Sequence, residues 1–364
     1  MNLKKLPVVL YDDQIFSVQK AGGVSRYYKE LITNIGKFGC EPKLPTVISD
    51  NLYLELKKPS KFLSRIDKRI STRIIQYANK MASLKSIKGN KYDILHPTYY
   101  STYHLNKNKK PLVVTVYDMI HELFPDYFED SELIFKNKKA LLNRANQIIA
   151  ISDSTKNDIL KFIDIDPKKI SVTHLATSIF EVAPENPKIP IKNYILFVGE
   201  RRNYKNFNQL LDAFKNISEK IIDATLFCAG GGPFREEELN IIEILGLKNK
   251  VYQKNVTENE LSWSYKNAIC FVFPSLYEGF GIPVLESMSL DTITILSNKS
   301  CFPEIALTGA SYFNNSDELA DLIIAAYLKP SSFEITKNEA KKITNQYSWE
   351  LTAKKTADIY HTLF

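Results

Sequence analysis

Short apolar runs alternate with stretches of helical periodicity from one end of the chain to the other. Residues 7–11 (Pro-Val-Val-Leu-Tyr) predict a buried strand, and the apolar spacing over 24–35 predicts the helix after it. Further buried strands are predicted at 92–96, 112–117 and 147–151. The last runs into Ser152-Asp153-Ser154-Thr155, cap residues for a helix through Phe162. In the second half, strands are predicted at 194–199, 225–229, 251–255, 268–273 and 311–313. Helices are predicted at 207–214 and 258–267, and Pro283 suits a first helical position. Helical segments then continue to Phe364. Strands alternating with helices predict an α/β protein with parallel, helix-covered sheets.

A chain of 364 residues is long for one core, so two domains are expected. The proline-rich, polar stretch 184–190 is the clearest linker. It sets a first domain at 1–183, a linker at 184–192 and a second domain at 193–346. No apolar run reaches the length of a membrane span, and the apolar part of the N-terminus is short for a signal peptide. Cys40, Cys228, Cys270 and Cys301 have no paired spacing. They read as reduced core cysteines of a cytoplasmic protein, with no metal cluster. The net charge of +7 fits nucleic acid, anionic substrates or a membrane surface equally well. One stretch is sharper. Residues 57–88 are strongly basic with Asp67 the only acid, and Phe62, Ile66, Ile70, Ile74, Tyr77, Met81 and Leu84 fall at roughly helical spacing. Two readings stand: a helix lying on an anionic membrane, or a surface helix whose apolar stripe packs on its own domain.

The densest chemistry lies after the strand at 268–273. There the chain reads Pro274-Ser275-Leu276-Tyr277-Glu278-Gly279-Phe280-Gly281-Ile282-Pro283-Val284-Leu285-Glu286, and later Pro303-Glu304. Glu278 falls in a loop and Glu286 in the first turn of the predicted helix. The glycines let a ligand approach the backbone. A helix N-terminus suits a phosphate, and carboxylates accept from sugar hydroxyls. Together these describe a nucleotide sugar. Taken singly, Glu286 also reads as a complement to the helix dipole and Glu278 as a solvated loop residue. Arg201 and Lys205 follow the strand ending at Gly199, where Arg can fork onto a diphosphate and Lys adds a point charge. Gly22 and Gly23 precede a helix after the first strand. Asp118 and His121 form a polar cluster after the strand at 112–117, and His96 ends the strand before it, where doubly wound sheets keep their sites.

The motif through Glu278 and Glu286 resembles the donor-site signature of retaining glycosyltransferases of family 4, which have the GT-B fold, and the two Glu match that family's Glu-x7-Glu. The family's Glu-Ala-Met-Ala-x-Gly reads Glu286-Ser287-Met288-Ser289-Leu290-Asp291 here, which should alter that turn. The resemblance implies two Rossmann-like doubly wound domains facing a central cleft. The first binds the acceptor and the second the nucleotide sugar, and a C-terminal helix, residues 347–364, returns to the first domain. It implies donor contacts from Gly22, Gly23, Arg26, Gly199, Gly231, Lys254, Asn255, Val256, Gly279, Phe280, Gly281 and Glu286, the last on the ribose. Arg201 and Lys205 would stabilise the leaving diphosphate, Glu278 would hold sugar hydroxyls, and His121 or Asp118 would contact the transferred sugar. Ser152 reads first as a helix cap and, by resemblance, as a cleft residue beside His96.

The implied reaction is retaining transfer of a hexose from a GDP- or UDP-sugar to an acceptor hydroxyl, without protein nucleophile, metal or other cofactor. The implied acceptor is a glycan or lipid-linked glycan of a bacterial surface polysaccharide such as O-antigen, capsule or exopolysaccharide. Mannose is the sugar favoured by the motif style. Nucleic acid is not among the implied partners, and the expected place is the cytoplasm, including the inner face of the membrane through residues 57–88. A GT-B epimerase and a non-catalytic nucleotide-sugar-binding module are the alternatives. Retention of both Glu and the basic residues speaks against the module, and a phosphorylase would need greater length and a pyridoxal site.

Overall fold

The structure, a computed structural model, describes residues 5–54 and 68–364. The chain divides into two compact units, Met1–Leu175 with Ser348–Phe364, and Ala176–Tyr347. The unit boundary precedes the expected linker, because residues 176–192 pack on the second unit. Glu185 N donates to Asn259 O at 3.0 Å, Ser262 Oγ to Val182 O at 3.4 Å and Lys254 Nζ to Pro187 O.

The first unit carries β1 (Val8–Tyr11), β2 (Glu41–Lys43), β3 (Ile94–His96), β4 (Val113–Val116), β5 (Gln147–Ala150) and β6 (Ile170–Val172). They pair in the orders β2-β1-β3 and β4-β5-β6, all parallel, and the Leu95–Leu112 bridge joins the two sets. Buried on both faces, β4 reads as a continuous apolar run apart from Thr115. The C-terminal helix Trp349–Leu363 packs on the helix Gly23–Asn34 of this unit. Its Tyr360 hydroxyl bonds Tyr11 Oη at 3.0 Å and His96 Nδ1 at 2.5 Å.

The second unit holds one parallel sheet of β7 (Tyr194–Val198), β8 (Thr225–Ala229), β9 (Val251–Lys254), β10 (Cys270–Phe273), β11 (Thr294–Ser297) and β12 (Ser311–Phe313). The order β12-β11-β10-β7-β8-β9 is doubly wound, and its direction of winding reverses between β7 and β10. Ligands of such sheets bind outside the carboxyl ends of the strands at that point. The core beneath is built from Phe197, Leu210, Phe214, Leu226 and Val272.

Asp291 holds φ 63°, the left-handed conformation a glycine takes most easily, and Lys337 and Lys341 pair with its carboxylate at 3.2 and 2.9 Å. Burial opposes ionisation of this carboxyl, and the two lysines more than offset it, so its pKa is lowered.

The helix Lys68–Gly89 forms as its periodicity predicts, but Ile70, Ile74, Tyr77 and Met81 face solvent at 51, 45, 67 and 47% exposure. The reading in which this stripe packs on its own domain is corrected at these four positions. Phe62, Ile66 and the basic residues 57–67 lie outside the described residues.

Candidate functional site

The winding reversal brings the loop after β7 beside the loop after β10. Leu276 N donates to Tyr204 O at 2.8 Å, which stitches the loops together. Lys205 Nζ then meets Glu278 Oε1 at 2.5 Å, with both side chains only about one-sixth exposed (16 and 14%). Burial works against the Lys205 ammonium, and the Glu278 carboxylate more than offsets it, so the lysine's pKa is raised. A third loop supports the glutamate. Ser300 Oγ donates to Glu278 O at 2.7 Å and lies 3.3 Å from Glu278 N.

Gly281 has φ 84° and starts the helix Ile282–Ser289, with Pro283 in its first positions. Glu286 lies in the second turn of this helix, one turn further in than expected. It is 4% exposed and accepts from Tyr265 Oη at 3.0 Å. Gly279 is buried, and the Phe280 ring meets Tyr347 at 5.9 Å.

Arg201 is turned inward. It is 5% exposed. Nη1 donates to Gly230 O at 3.2 Å, and Nη2 to Gly232 O at 2.8 Å and Pro233 O at 3.1 Å. Glu238 Oε1 sits 3.3 Å from its Nε. The reason is local: the turn through three successive glycines with positive φ, Gly230 to Gly232, aims the carbonyls of Gly230, Gly232 and Pro233 at the guanidinium. Arg201, expected to fork onto a diphosphate, organises the glycine turn in this structure. A Cβ on Gly231 would lie 2.4 Å from Gly199 O. Asn255 Oδ1 accepts from Gly232 N at 3.2 Å, so this expected base contact holds the turn. Lys254 pairs with Glu260 at 2.8 Å, and Val256 is half-buried beside it in sequence.

In the first unit, Asp118 and His121 follow β4. Asp118 Oδ1 accepts from Ile120 N at 3.2 Å. The His121 ring lies 4.4 Å from that of Phe128, its Nε2 is 4.0 Å from Asp130, and its buried Nδ1 has no hydrogen-bond partner among the described residues. Desolvation lowers its pKa and keeps the ring neutral. Beneath the loop, Lys138 Nζ donates to Glu122 Oε2 at 2.8 Å and to Asp118 O at 3.0 Å.

His96 is not a surface residue. It is 0% exposed, with Nε2 2.9 Å from Thr115 Oγ1 and Nδ1 on Tyr360. The terminal helix covers it, a relation no local pattern announces. Ser152 is the cap its context predicts, accepting from Thr155 N at 3.0 Å. Gly22 and Gly23 open the helix Gly23–Asn34, and Arg26 in its first turn is 9% exposed, over the Tyr53 ring.

Sequence reasoning missed Ser300, Tyr265 and Glu238. For Glu238 there was half a signal, an acid three residues into a helix start, and its Oε2 accepts from Arg235 N at 2.8 Å. Ser300 and Tyr265 reach the site only through strand order.

The sequence model for glycosyl transferases group 1 matches residues 179–343, and that for glycosyltransferase family 4 matches residues 21–177. The O-antigen chain mannosyltransferase RfbU of Salmonella typhimurium is 29% identical over 219 residues, which cover 60% of this chain and 61% of RfbU. The O-antigen chain mannosyltransferase B of Escherichia coli is 25% identical over 284 residues, 73% of each protein. Among solved structures, sucrose-phosphate synthase from Thermosynechococcus elongatus superposes with a TM-score of 0.76 at 17% identity, over 99% of both chains. Anabaena HepE in complex with UDP and glucose gives 0.73 at 15%, over 98% of this chain and 100% of HepE. At these identities the structures speak for the fold alone. The two sequence matches cover each unit in turn and agree with the fold: the chain belongs to the family 4 glycosyltransferases and has the GT-B fold.

Proposed function

We propose that this protein is a retaining, metal-independent glycosyltransferase that moves a hexose, with mannose favoured, from a GDP- or UDP-sugar to a hydroxyl of a glycan or lipid-linked glycan in surface-polysaccharide assembly. The observation that carries the reading is the Lys205–Glu278 pair at the winding reversal, beside the start of the helix Ile282–Ser289. An ammonium has three donors, so Lys205 can keep Glu278 and still reach a phosphate oxygen. Its charge, with the helix N-terminus, would stabilise the leaving diphosphate, which is electrostatic catalysis by groups already in place. Glu278 would accept from hydroxyls of the transferred sugar and Glu286 from the ribose. On the first unit, neutral His121 or Asp118 is the candidate for the sugar. The mannosyltransferase relatives support mannose and polysaccharide assembly. A lipid-linked acceptor would place the chain at the inner face of the cytoplasmic membrane.

The test is a thermal-shift screen with UDP, GDP, ADP and dTDP, followed by transfer from the matching nucleotide sugar. A ligand of the native state raises its melting temperature. One nucleotide is expected to stabilise the chain, and Lys205→Met to abolish that shift and lower transfer by about 10²–10³-fold, the size of losing one charge-stabilising donor. Absence of any shift, or an unchanged Lys205→Met variant, refutes the reading. An inverted product removes retention alone.

A further inference from the structure

Arg201 cannot hold the glycine turn and a diphosphate at once. Nη2 uses both of its hydrogens on Gly232 O and Pro233 O, and Nη1 uses one on Gly230 O. Aromatic rings cover the guanidinium, whose carbon lies 4.8 Å from the centre of the Phe234 ring and 6.0 Å from that of Phe207. Its charge is paired as well. Glu238, 3% exposed, holds Oε1 3.3 Å from Arg201 Nε. Arg235 Nη2 donates to the same Oε1 and to Arg201 O, both at 3.1 Å, which ties the start of the helix Glu236–Ile244 to the loop after β7. Turning Arg201 out to a phosphate would break three hydrogen bonds to carbonyls and take a cation from a buried carboxylate.

The turn is pinned on one side and open on the other. From β9, Gln253 Nε2 donates to Gly230 O at 3.1 Å and Asn255 Oδ1 accepts from Gly232 N at 3.2 Å. A Cβ built on Gly230 or Gly232 meets nothing within 4 Å, so bare backbone borders free space there. The turn stands at the carboxyl end of β8, next to β7, while Lys205 reaches from the loop after β7 to Glu278 on the β10 side. Neutral backbone suits the uncharged part of a nucleotide, and an ammonium beside a helix N-terminus suits its phosphates. We propose that Arg201 and Glu238 are positioning residues: they set the shape of the Gly230–Pro233 turn for the nucleoside, and the diphosphate is neutralised by Lys205 without Arg201. The proposal rests on the transferase reading and deepens it by dividing the donor site between these two groups.

Isothermal titration of the full chain with UDP and GDP, and with uridine and guanosine by displacement of the diphosphate, tests it well below the melting temperature. The ratio of nucleoside to nucleoside-diphosphate dissociation constants measures what the diphosphate contributes. Arg201→Met should weaken the preferred nucleoside and its diphosphate by the same factor, about tenfold, the size of one or two lost hydrogen bonds, and leave the ratio unchanged. Lys205→Met should weaken the diphosphate alone, by about tenfold or more, and so lower the ratio. Glu238→Gln should copy Arg201→Met, and Arg201→Lys should not restore binding, because a point charge cannot hold three carbonyls. Where Arg201→Met fails to fold, Arg201→Met/Glu238→Leu, which removes both buried partners, takes its place. Loss of diphosphate affinity alone on removing Arg201 overturns the proposal. So does a lowered melting temperature with both constants unchanged, the mark of a merely structural residue. A parent chain that binds neither nucleotide sinks the transferase reading along with this one, whereas a parent that binds while Arg201→Met behaves like Lys205→Met sinks this one alone.

Discussion

Lys138 and Glu122 form an ion pair with side chains 0 and 1% exposed. Their burial makes the pair asymmetric in consequence. Removing one partner strands a charge away from water, which costs about 3–5 kcal/mol, while replacing both by apolar side chains costs little. Lys138→Met is therefore expected to lower stability by about 3–5 kcal/mol, and Lys138→Met/Glu122→Leu to recover most of that loss, measured by chemical denaturation. The lysine also holds the Asp118 carbonyl, so the single variant should loosen the loop that carries His121. Nothing in the local sequence pairs these two residues. A lysine among other lysines on a helix reads as a solvated face, and only the packing of the helix Ser131–Arg144 over this loop brings it inside.

At the scale of elements, turns and caps decide what the site looks like. The turn after β8 has Gly231 at φ 72°, with Gly199 O against the place where a side chain would start. Gly231→Ala combines a left-handed alanine, costing about 1 kcal/mol, with a backbone clash and displacement of Arg201. It is expected to lower the melting temperature and to weaken the nucleotide shift more than the conformational cost alone would. The C-terminal helix makes a comparable local decision. Tyr360→Phe leaves His96 Nδ1 and Tyr11 Oη short of a partner in a buried site, and about 1–3 kcal/mol of stability should be lost in denaturant titrations. The strands and helices were largely legible in advance, since buried parallel strands are near-continuous apolar runs and helices announce themselves by period. The helix 258–267 occurs as Glu258–Asn267, capped by Thr257 as a capping box. The stripe at 70–81 was equally legible as a stripe, but periodicity states which residues share a face and not which way it turns. Asn79 settled that, through four bonds to segments far away in the chain.

For the molecule as a whole, the buried histidines set an acid limit. Burial pushes His96 down to about 3 and His104 to about 4, from an ordinary value of 6.5. Both are neutral in the folded chain at pH 5, whereas the unfolded chain takes up their protons below about 6.5. The unfolded state then binds more protons, so each contributes a loss of about 1.4 kcal/mol per pH unit as pH falls from 6.5. Asp12 and Asp13, raised by burial, titrate in the opposite sense and reduce the net slope. The clean measurement is differential. Stability against pH for His96→Asn should be flatter than for the parent by about one proton between pH 6 and 4. Equal slopes would mean that His96 is protonated in the folded state.

The sequence by itself determined the α/β class, most strands and helices, and the residue types offered by the loops after β7 and β10, because burial period, capping and turn chemistry act over a few neighbouring positions. Tertiary structure alone decided which of those residues meet. Strand order set Lys205 on Glu278 and added Ser300. Three carbonyls of a glycine turn drew Arg201 inward, and the returning terminal helix sealed His96 in the core. Each of these joins residues distant in the chain, and their hydrogen bonds and desolvation exist only once the sheets have formed.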